Sequence, residues 1–359
     1  MSFFLSLISI QEFEFPFYYL ETIAFRMSKR YAAAHEKLLG PGDHRPTALQ
    51  VVKDEELEGK LKDKVVLITG CSAGLGVDTA RAMFATGATL FLTARNPTRA
   101  RVALGELAES PHVHILEMDQ TSLKSVRACA ASFLEQSKTL NIMINNAGIM
   151  AVPEATTEDG FESQFQTNHL SHFLLFYLLK PTLLASTTPE FASRVINLSS
   201  LGHRRGEPDL DNINLTGCYD KWRAYGSSKT CNIWMANEIE RRYGSKHLHA
   251  FSVHPGGVVT PLWNSMKTED IDHLRSQEGF DESLKSPEQG AATTVWGAIA
   301  KYLEGYGGKY LDDVQIASPW TPDQPFALPG WAPHAHDEER EGKLWKLSLD
   351  MAGLKDTDF

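Results

Sequence analysis

The sequence predicts a doubly wound parallel α/β sheet with an extension at each end, and three observations predict it. Short apolar runs alternate with helical patterns from residue 64 onward, the first run opens directly into a glycine-rich turn, and no fixed-period repeat interrupts the alternation. Strands alternating with helices give parallel pairs joined by right-handed crossovers. A chain of 359 residues, 42% hydrophobic and 22% charged, can bury a large core without disulfides or a metal. The expected layout is one catalytic domain over 60–317, an N-terminal extension over 1–59 and a C-terminal tail over 318–359.

The elements follow in order. Lys64 to Thr69 reads as a buried parallel strand, and Leu75 to Thr86 as a helix ended by Gly87. Further strands are expected at Thr89 to Thr93, Val113 to Glu117, Ile142 to Asn145, Arg194 to Leu198 and Ala250 to Val253. Ser122 to Ser137 and Phe161 to Leu184 carry helical patterns between them. Residues 27 to 63 read as a polar lead-in, and the five prolines between 318 and 336 as an extended tail crossing a surface. Leu344, Trp345, Leu347 and Leu349 suggest a last amphipathic helix that docks back.

Composition excludes several functions. Forty-five acidic against 35 basic residues give a formal charge of −10, which argues against nucleic-acid binding. No apolar run reaches the roughly 18 residues a membrane helix needs. The four cysteines form no C-x-x-C pair, so no zinc site is expected, and reduced thiols place the protein in the cytoplasm. Residues 2 to 10 are apolar but lack a preceding basic residue and a cleavage site, so a secretory signal is not expected. Three readings of residues 1–26 stand open: a peripheral membrane-surface segment, a docking arm, or a stretch upstream of a true start at Met27.

Thr69 to Gly76 follows the first strand with glycines at 70, 74 and 76. Such a turn lets a pyrophosphate approach the backbone at a helix N-terminus, where amides and the helix dipole favour an anion. Ser72 and Leu75 belong to the same turn. A tight turn without ligand is the bland alternative. The second strand ends in Ala94-Arg95-Asn96, so the position where a carboxylate would hold ribose hydroxyls carries no acid. Arg95 can instead hold a 2′-phosphate, which favours NADP(H) over NAD(H); the alternative is an arginine facing solvent.

Tyr225 and Lys229 stand four residues apart and share one helix face. A neighbouring ammonium is expected to lower the phenol pKa and make it a proton exchanger near neutrality. Val195 to Ser200 delivers hydroxyls at a strand's C-terminal end, where Ser200 can bond a carbonyl oxygen.

Together these features resemble the short-chain dehydrogenase/reductase family, with its Rossmann fold, over about Lys60 to Leu311. The family's T-G-x-x-x-G-x-G turn is present, and its other motifs occur in order. The resemblance implies that Asp119 lies near the adenine and that Asn146, Ala147 and Gly148 of the N-N-A-G segment steady the nicotinamide pocket. It implies that Asn168, Ser200, Tyr225 and Lys229 form the catalytic tetrad, and that Pro255, Gly256, Val258 and Thr260 flank the nicotinamide amide. Asn168 would hold a water that links Lys229 to solvent. The A-R-N after the second strand and the C-terminal K-L-W-K-L-S are similar to retinol dehydrogenases and the WW-domain oxidoreductase branch; the N-terminal arm is similar to fungal reductases of secondary-metabolite pathways.

That resemblance implies hydride exchange between NADP(H) and a carbonyl or secondary alcohol of a fairly large hydrophobic substrate, of polyketide type on the fungal likeness, with no metal. Tyr219, Trp222, Trp263 and Met266 are the expected lining of its pocket, with ordinary packing as the alternative for each. The stretches Leu201–Trp222 and Val258–Lys285 are the expected lids. His203, Arg204 and Arg205 are expected in a solvated loop, the alternative being contact with an acidic substrate. Cys231 is expected in the core. A retinol- or steroid-like alcohol dehydrogenase and a non-catalytic NADP-binding regulator are the competing functions. Homodimerisation is the family's habit, and the long ends stand against its usual helix interface.

Overall fold

The computed structural model describes residues 29–356. Eight strands form one sheet in the order β3-β2-β1-β4-β5-β6-β7-β8. The strands are β1 Val65–Thr69, β2 Thr89–Ala94, β3 Val113–Glu117, β4 Ile142–Asn145, β5 Ser193–Leu198, β6 Leu248–Val253, β7 Lys309–Asp312 and β8 Gln315–Ile316. All pairs are parallel except β7 with β8. The strand order reverses between β1 and β4, so the sheet has a switch point at the C-terminal ends of its central strands, where ligands of such sheets bind. The doubly wound sheet that the sequence predicts is therefore present. β7 and β8 carried no strand expectation. β7 begins and ends on charged residues and β8 has only two residues, so neither shows an apolar run, and Asp313 and Val314 between them take positive φ.

Helices cover both faces. One face packs β1, β2, β5 and β6 side chains against α1 (Ala48–Asp54), α2 (Leu75–Ala85) and the helix Ala292–Ile299. The other packs against α4 (Leu123–Gln136), α5 (Ser171–Ala185), α6 (Lys221–Tyr243) and the last helix, Glu338–Met351. α3 (Pro97–Leu104) follows β2. Side-chain caps start several of these helices: the Asn96 carboxamide accepts from Arg99 N at 3.0 Å, and Asp220 from Arg223 N at 2.8 Å. α5 is largely apolar because most of it is buried: Phe173, Leu174, Leu175, Phe176 and Leu179 are all inaccessible.

The two extensions contribute to these layers. The segment read as a polar lead-in buries Val51, Val52 and Leu61 in the first core, and Arg45 is 3% exposed. The last helix lays Leu344, Trp345 and Leu349 into the second core, Trp345 meeting Phe173 edge to face at 4.9 Å. The proline-rich tail doubles back on itself, Trp320 N donating to Trp331 O at 2.7 Å. Among the described residues no helix is long and apolar enough to cross a membrane. Residues 1–26, with the readings attached to them, lie outside the described residues.

Candidate active site

The C-terminal ends of the central strands open into a cavity of about 1140 Å³. Of the residues singled out from the sequence, Gly70, Ser72, Gly74, Leu75, Arg95, Asp119, Asn146, Ala147, Gly148, Ser200, Tyr225, Lys229, Pro255, Gly256, Val258 and Thr260 line it. Gly76 and Asn168 stand one layer behind.

The glycine turn is built by two different demands. Gly74 caps α2 at φ +63, a left-handed backbone in which L side chains are strained. Gly76 has an ordinary backbone, but a Cβ there would lie 2.4 Å from Gly70 O and 2.7 Å from the Asn146 side-chain nitrogen. Close packing of the turn on the N-N-A-G segment, and not room for a ligand, thus requires this glycine. Asn146 reinforces the contact by donating to Thr69 O at 2.7 Å, and the backbone N–H groups of Asn146 and Ala147 both donate to Thr69 Oγ1. The turn offers the N-terminus of an 11-residue helix to the cavity, a setting that suits a phosphate.

Beyond it, Arg95 and Arg99 are exposed on the cavity wall and make no ion pair among the described residues. Sequence reading missed Arg99, which lies in the first turn of the helix that follows Arg95. Asp119 is held by Thr121, whose backbone N–H and hydroxyl donate to its Oδ1 at 2.9 and 2.7 Å. A helix N-terminus, a carboxylate and two unpaired guanidinium groups along one groove are a donor set that fits an extended nucleotide bearing an additional phosphate.

Tyr225 and Lys229 project from α6 toward the end of β5. Lys229 Nζ donates to Leu198 O at 3.1 Å and lies 5.7 Å from the Tyr225 ring centre. Burial pulls the Lys229 pKa down to about 8. Burial also pushes the Tyr225 phenol up to about 12, and a hydrogen bond with Ser200 offsets only part of that. The lowering expected of Tyr225 from its neighbour is therefore corrected: desolvation sets the direction at both groups. Ser200 heads a short turn after β5, its Oγ accepting from Gly202 N at 3.0 Å. Gly202 packs so close that a Cβ would meet the Tyr225 ring at 2.7 Å, which fixes the ring against the serine.

Asn168 sits in a single π-helical turn, Gln166–Leu170, at the head of the long helix expected from Phe161. Such bulges are common at functional sites. Its Oδ1 accepts from Ile149 N at 2.8 Å, and its Nδ2 donates to Ile149 O and to Ser228 Oγ. Both amide hydrogens and one acceptor site of the oxygen are taken by protein groups, which ties Ile149, next to the N-N-A-G segment, to α6. Beneath it lies His172, which the sequence did not single out. Its Nδ1 bonds Asn168 O at 2.9 Å, and its Nε2 meets Thr69 Oγ1 and Gln120 Nε2. Burial holds its pKa at about 4, so the ring is neutral.

The substrate side departs most from expectation. Trp222, Trp263 and Met266 line the cavity, but Tyr219 does not: its hydroxyl donates to Val152 O at 2.8 Å and accepts from Gln164. His203 is not solvated. It is buried, with Nδ1 2.6 Å from Ser200 O and Nε2 accepting from Ala332 N. Arg204 is equally engaged, donating to the carbonyl oxygens of Phe326, Leu328 and Gly330. Only Arg205 of the three is exposed at the cavity. Of the two expected lids, Val258–Lys285 supplies many lining residues and Leu201–Trp222 few. The remaining walls come from residues 32–38 of the N-terminal extension and 325–329 of the tail; neither carries a pattern that marks it as a pocket wall. Cys231 is buried, and burial raises its thiol well above the ordinary range.

Comparison with known proteins agrees with this fold. The short chain dehydrogenase family model matches residues 64–271. A short-chain dehydrogenase/reductase of Penicillium roqueforti, prx1, is 50% identical over 327 residues, which cover 91% of this chain and 96% of the relative. Human retinol dehydrogenase 13 is 35% identical, covering 81% and 85% respectively. A crystal structure of an uncharacterised Mycobacterium paratuberculosis protein superposes with a TM-score of 0.64 at 28% identity, covering 87% of this chain and 98% of that one. The chain belongs to the short-chain dehydrogenase/reductase family of oxidoreductases.

Proposed function

We propose that the protein is an NADP(H)-dependent reductase of the carbonyl group of a sizeable hydrophobic substrate, of polyketide type, working in the cytoplasm, or the corresponding secondary-alcohol dehydrogenase. The observation that carries this reading is the convergence of Ser200, Tyr225 and Lys229 with the glycine turn on one cavity at the sheet's switch point. When bound, the nicotinamide supplies or accepts a hydride at C4.

The chain's own groups do the rest. Ser200 holds the substrate oxygen by a hydrogen bond. Tyr225, with its proton secure at neutral pH because its pKa is about 12, donates that proton to the oxygen as the carbonyl carbon gains the hydride. In the oxidative direction it takes the proton back. Lys229, titrating at about 8, is mostly charged at pH 7 and stabilises the phenolate left by donation. Asn168 positions the N-N-A-G segment against α6. Arg95, with Arg99, holds the adenosine 2′-phosphate. The likeness to a retinol dehydrogenase favours a second reading of the substrate alone, a retinol- or steroid-like alcohol.

The test is Tyr225→Phe. Positioned acid–base groups contribute about 10²–10⁴-fold, so turnover with NADPH on a panel of ketones, aldehydes and quinones should fall at least ~1000-fold. Nucleotide affinity should stay within about threefold, because the phenyl ring still packs on Gly202. A Phe variant with undiminished turnover refutes the assignment.

A further inference from the structure

The cavity wall formed by the C-terminal tail is held in a way that ordinary surface loops are not. Arg204 spreads one guanidinium over three carbonyl oxygens, at Phe326, Leu328 and Gly330. Its plane also lies 4.5 Å from the Trp320 ring centre. A planar fork with five donors suits this fan of acceptors, and the bonds are charge-assisted. Two further bonds secure the end of the segment: Gly330 N donates to Asp312 at the end of β7, and Ala332 N donates to His203 Nε2. Because His203 Nε2 accepts a backbone N–H, its proton sits on Nδ1, directed at Ser200 O 2.6 Å away. One neutral imidazole thus joins the turn that carries Ser200 to the tail.

The consequence is spatial. The tail is anchored three to five residues from Ser200, so Pro325 to Pro329 stand at the serine end of the cavity and not at the Arg95 end. Phe326 is half-buried there and Leu328 is 44% exposed. The Arg205 guanidinium lies 4.6 Å from the Phe326 ring centre, fixing its face. Trp222, Trp263 and Met266 supply further apolar surface around the same cavity. An exposed leucine and a phenylalanine are clamped into a cavity wall by five polar bonds, an arrangement suited to contact with a ligand.

We propose that residues 325–329 are a substrate-facing wall of the site, that Phe326 and Leu328 determine the size of the hydrophobic carbonyl or carbinol admitted, and that Arg204 is the residue that positions this wall. The inference rests on the proposed function for the chemistry of the substrate, but its test does not require turnover.

The test measures dissociation constants, by calorimetry with saturating NADP⁺, for aryl alkyl ketones running from acetophenone to long-chain members. In the Phe326→Ala and Leu328→Ala proteins the ratio of long-chain to short-chain affinity should shift at least fivefold toward the long-chain members, because the wall recedes. Arg204→Ala should shift the ratio in the same direction and raise amide hydrogen exchange over 326–332 at least tenfold. A merely structural role for Arg204 would lower thermal stability and leave the ratio alone. An affinity ratio within twofold of the parent protein in all three variants overturns the proposal, whatever the turnover. Selective binding without turnover by the parent protein would uphold it and refute the proposed function instead.

Discussion

The two ends of the cavity are built differently. The nucleotide-facing end comes from short contiguous stretches, each following one strand of the sheet: Gly70–Gly76 after β1, Arg95 after β2, Asp119 after β3 and Asn146–Gly148 after β4. The far end draws on residues 32–38, 260–285 and 325–329, three separate pieces of chain, the first far from the other two in sequence and none of them a strand. Strand ends position the first set directly, since the sheet register fixes each turn relative to its neighbours. The second set needs clamps. Arg45 donates to the carbonyls of Ser283 and Leu284 and joins the N-terminal arm to the middle piece. Arg204 holds the tail. One end is therefore a property of the sheet, and the other a property of a few buried polar side chains.

A buried neutral histidine underlies each end, and acid should strike both. His172 links Thr69 to Asn168 beneath the nucleotide end, and His203 links Ser200 to Ala332 at the other. Burial lowers their pKa values to about 4 and about 3, against an unfolded value near 6.5. Between those limits the unfolded chain binds more protons than the folded one, so stability falls as pH drops below 6.5. At pH 5 each histidine should remove roughly 2 kcal/mol relative to pH 7, about 4 kcal/mol together. Urea unfolding at the two pH values measures the loss. His203→Asn, whose amide can still donate to Ser200 O, should lose less between pH 7 and 5 than the parent protein. An equal loss would show that the second histidine is not titrating as described.

The glycine turn offers the next largest effect. Gly76→Ala drives a Cβ into Gly70 O, the carbonyl of a residue whose N–H donates to Thr93 O. Overpacking against atoms that cannot swing away costs about 3 kcal/mol. The shift should appear as lowered thermal stability together with weakened nucleotide binding, because the distortion passes straight into the turn. Binding unchanged at full stability would mean that the nucleotide end tolerates displacement and is not set by the sheet.

The same division explains what could be read from the chain. The sheet, the glycine turn and the Tyr225–Lys229 pair were readable because each is a local pattern: apolar strand, turn, capped helix, or four-residue spacing on one face. β7 was missed because its residues, Lys309 to Asp312, begin and end on charges where the equally short β4 is an apolar run, and α1 because its seven residues span too few turns for a helical period to stand out. His203 and Arg204 looked like a polar loop, and Tyr219 like pocket lining. Their actual partners lie more than 120 residues away for the first two and about 55 to 67 away for Tyr219. No local pattern encodes such pairings. The Tyr225 pKa was misread for a related reason: spacing places the ammonium, but only the packed structure shows that burial dominates both groups.

The smallest predicted effect is the sharpest probe of the nucleotide end alone. Arg95 is exposed and unpaired among the described residues, and its neighbour in the strand is Ala94, not an acid. Hydrogen bonds to a charged group contribute about 1.5–3 kcal/mol when both partners are well placed, so Arg95→Ala should weaken NADPH binding at least ~tenfold. NADH has no 2′-phosphate and should bind within about twofold of the parent protein. Arg99, in the first turn of α3, lines the same wall, so the Arg95→Ala, Arg99→Ala pair should lose more than either alone and bring the two nucleotides close to equal affinity. Because neither guanidinium carries a structural ion pair, thermal stability should stay within about 0.5 kcal/mol. Equal losses for NADPH and NADH would instead make Arg95 a contact to the shared part of the nucleotide. Any preference for the phosphorylated form would then have to arise somewhere other than the end of β2.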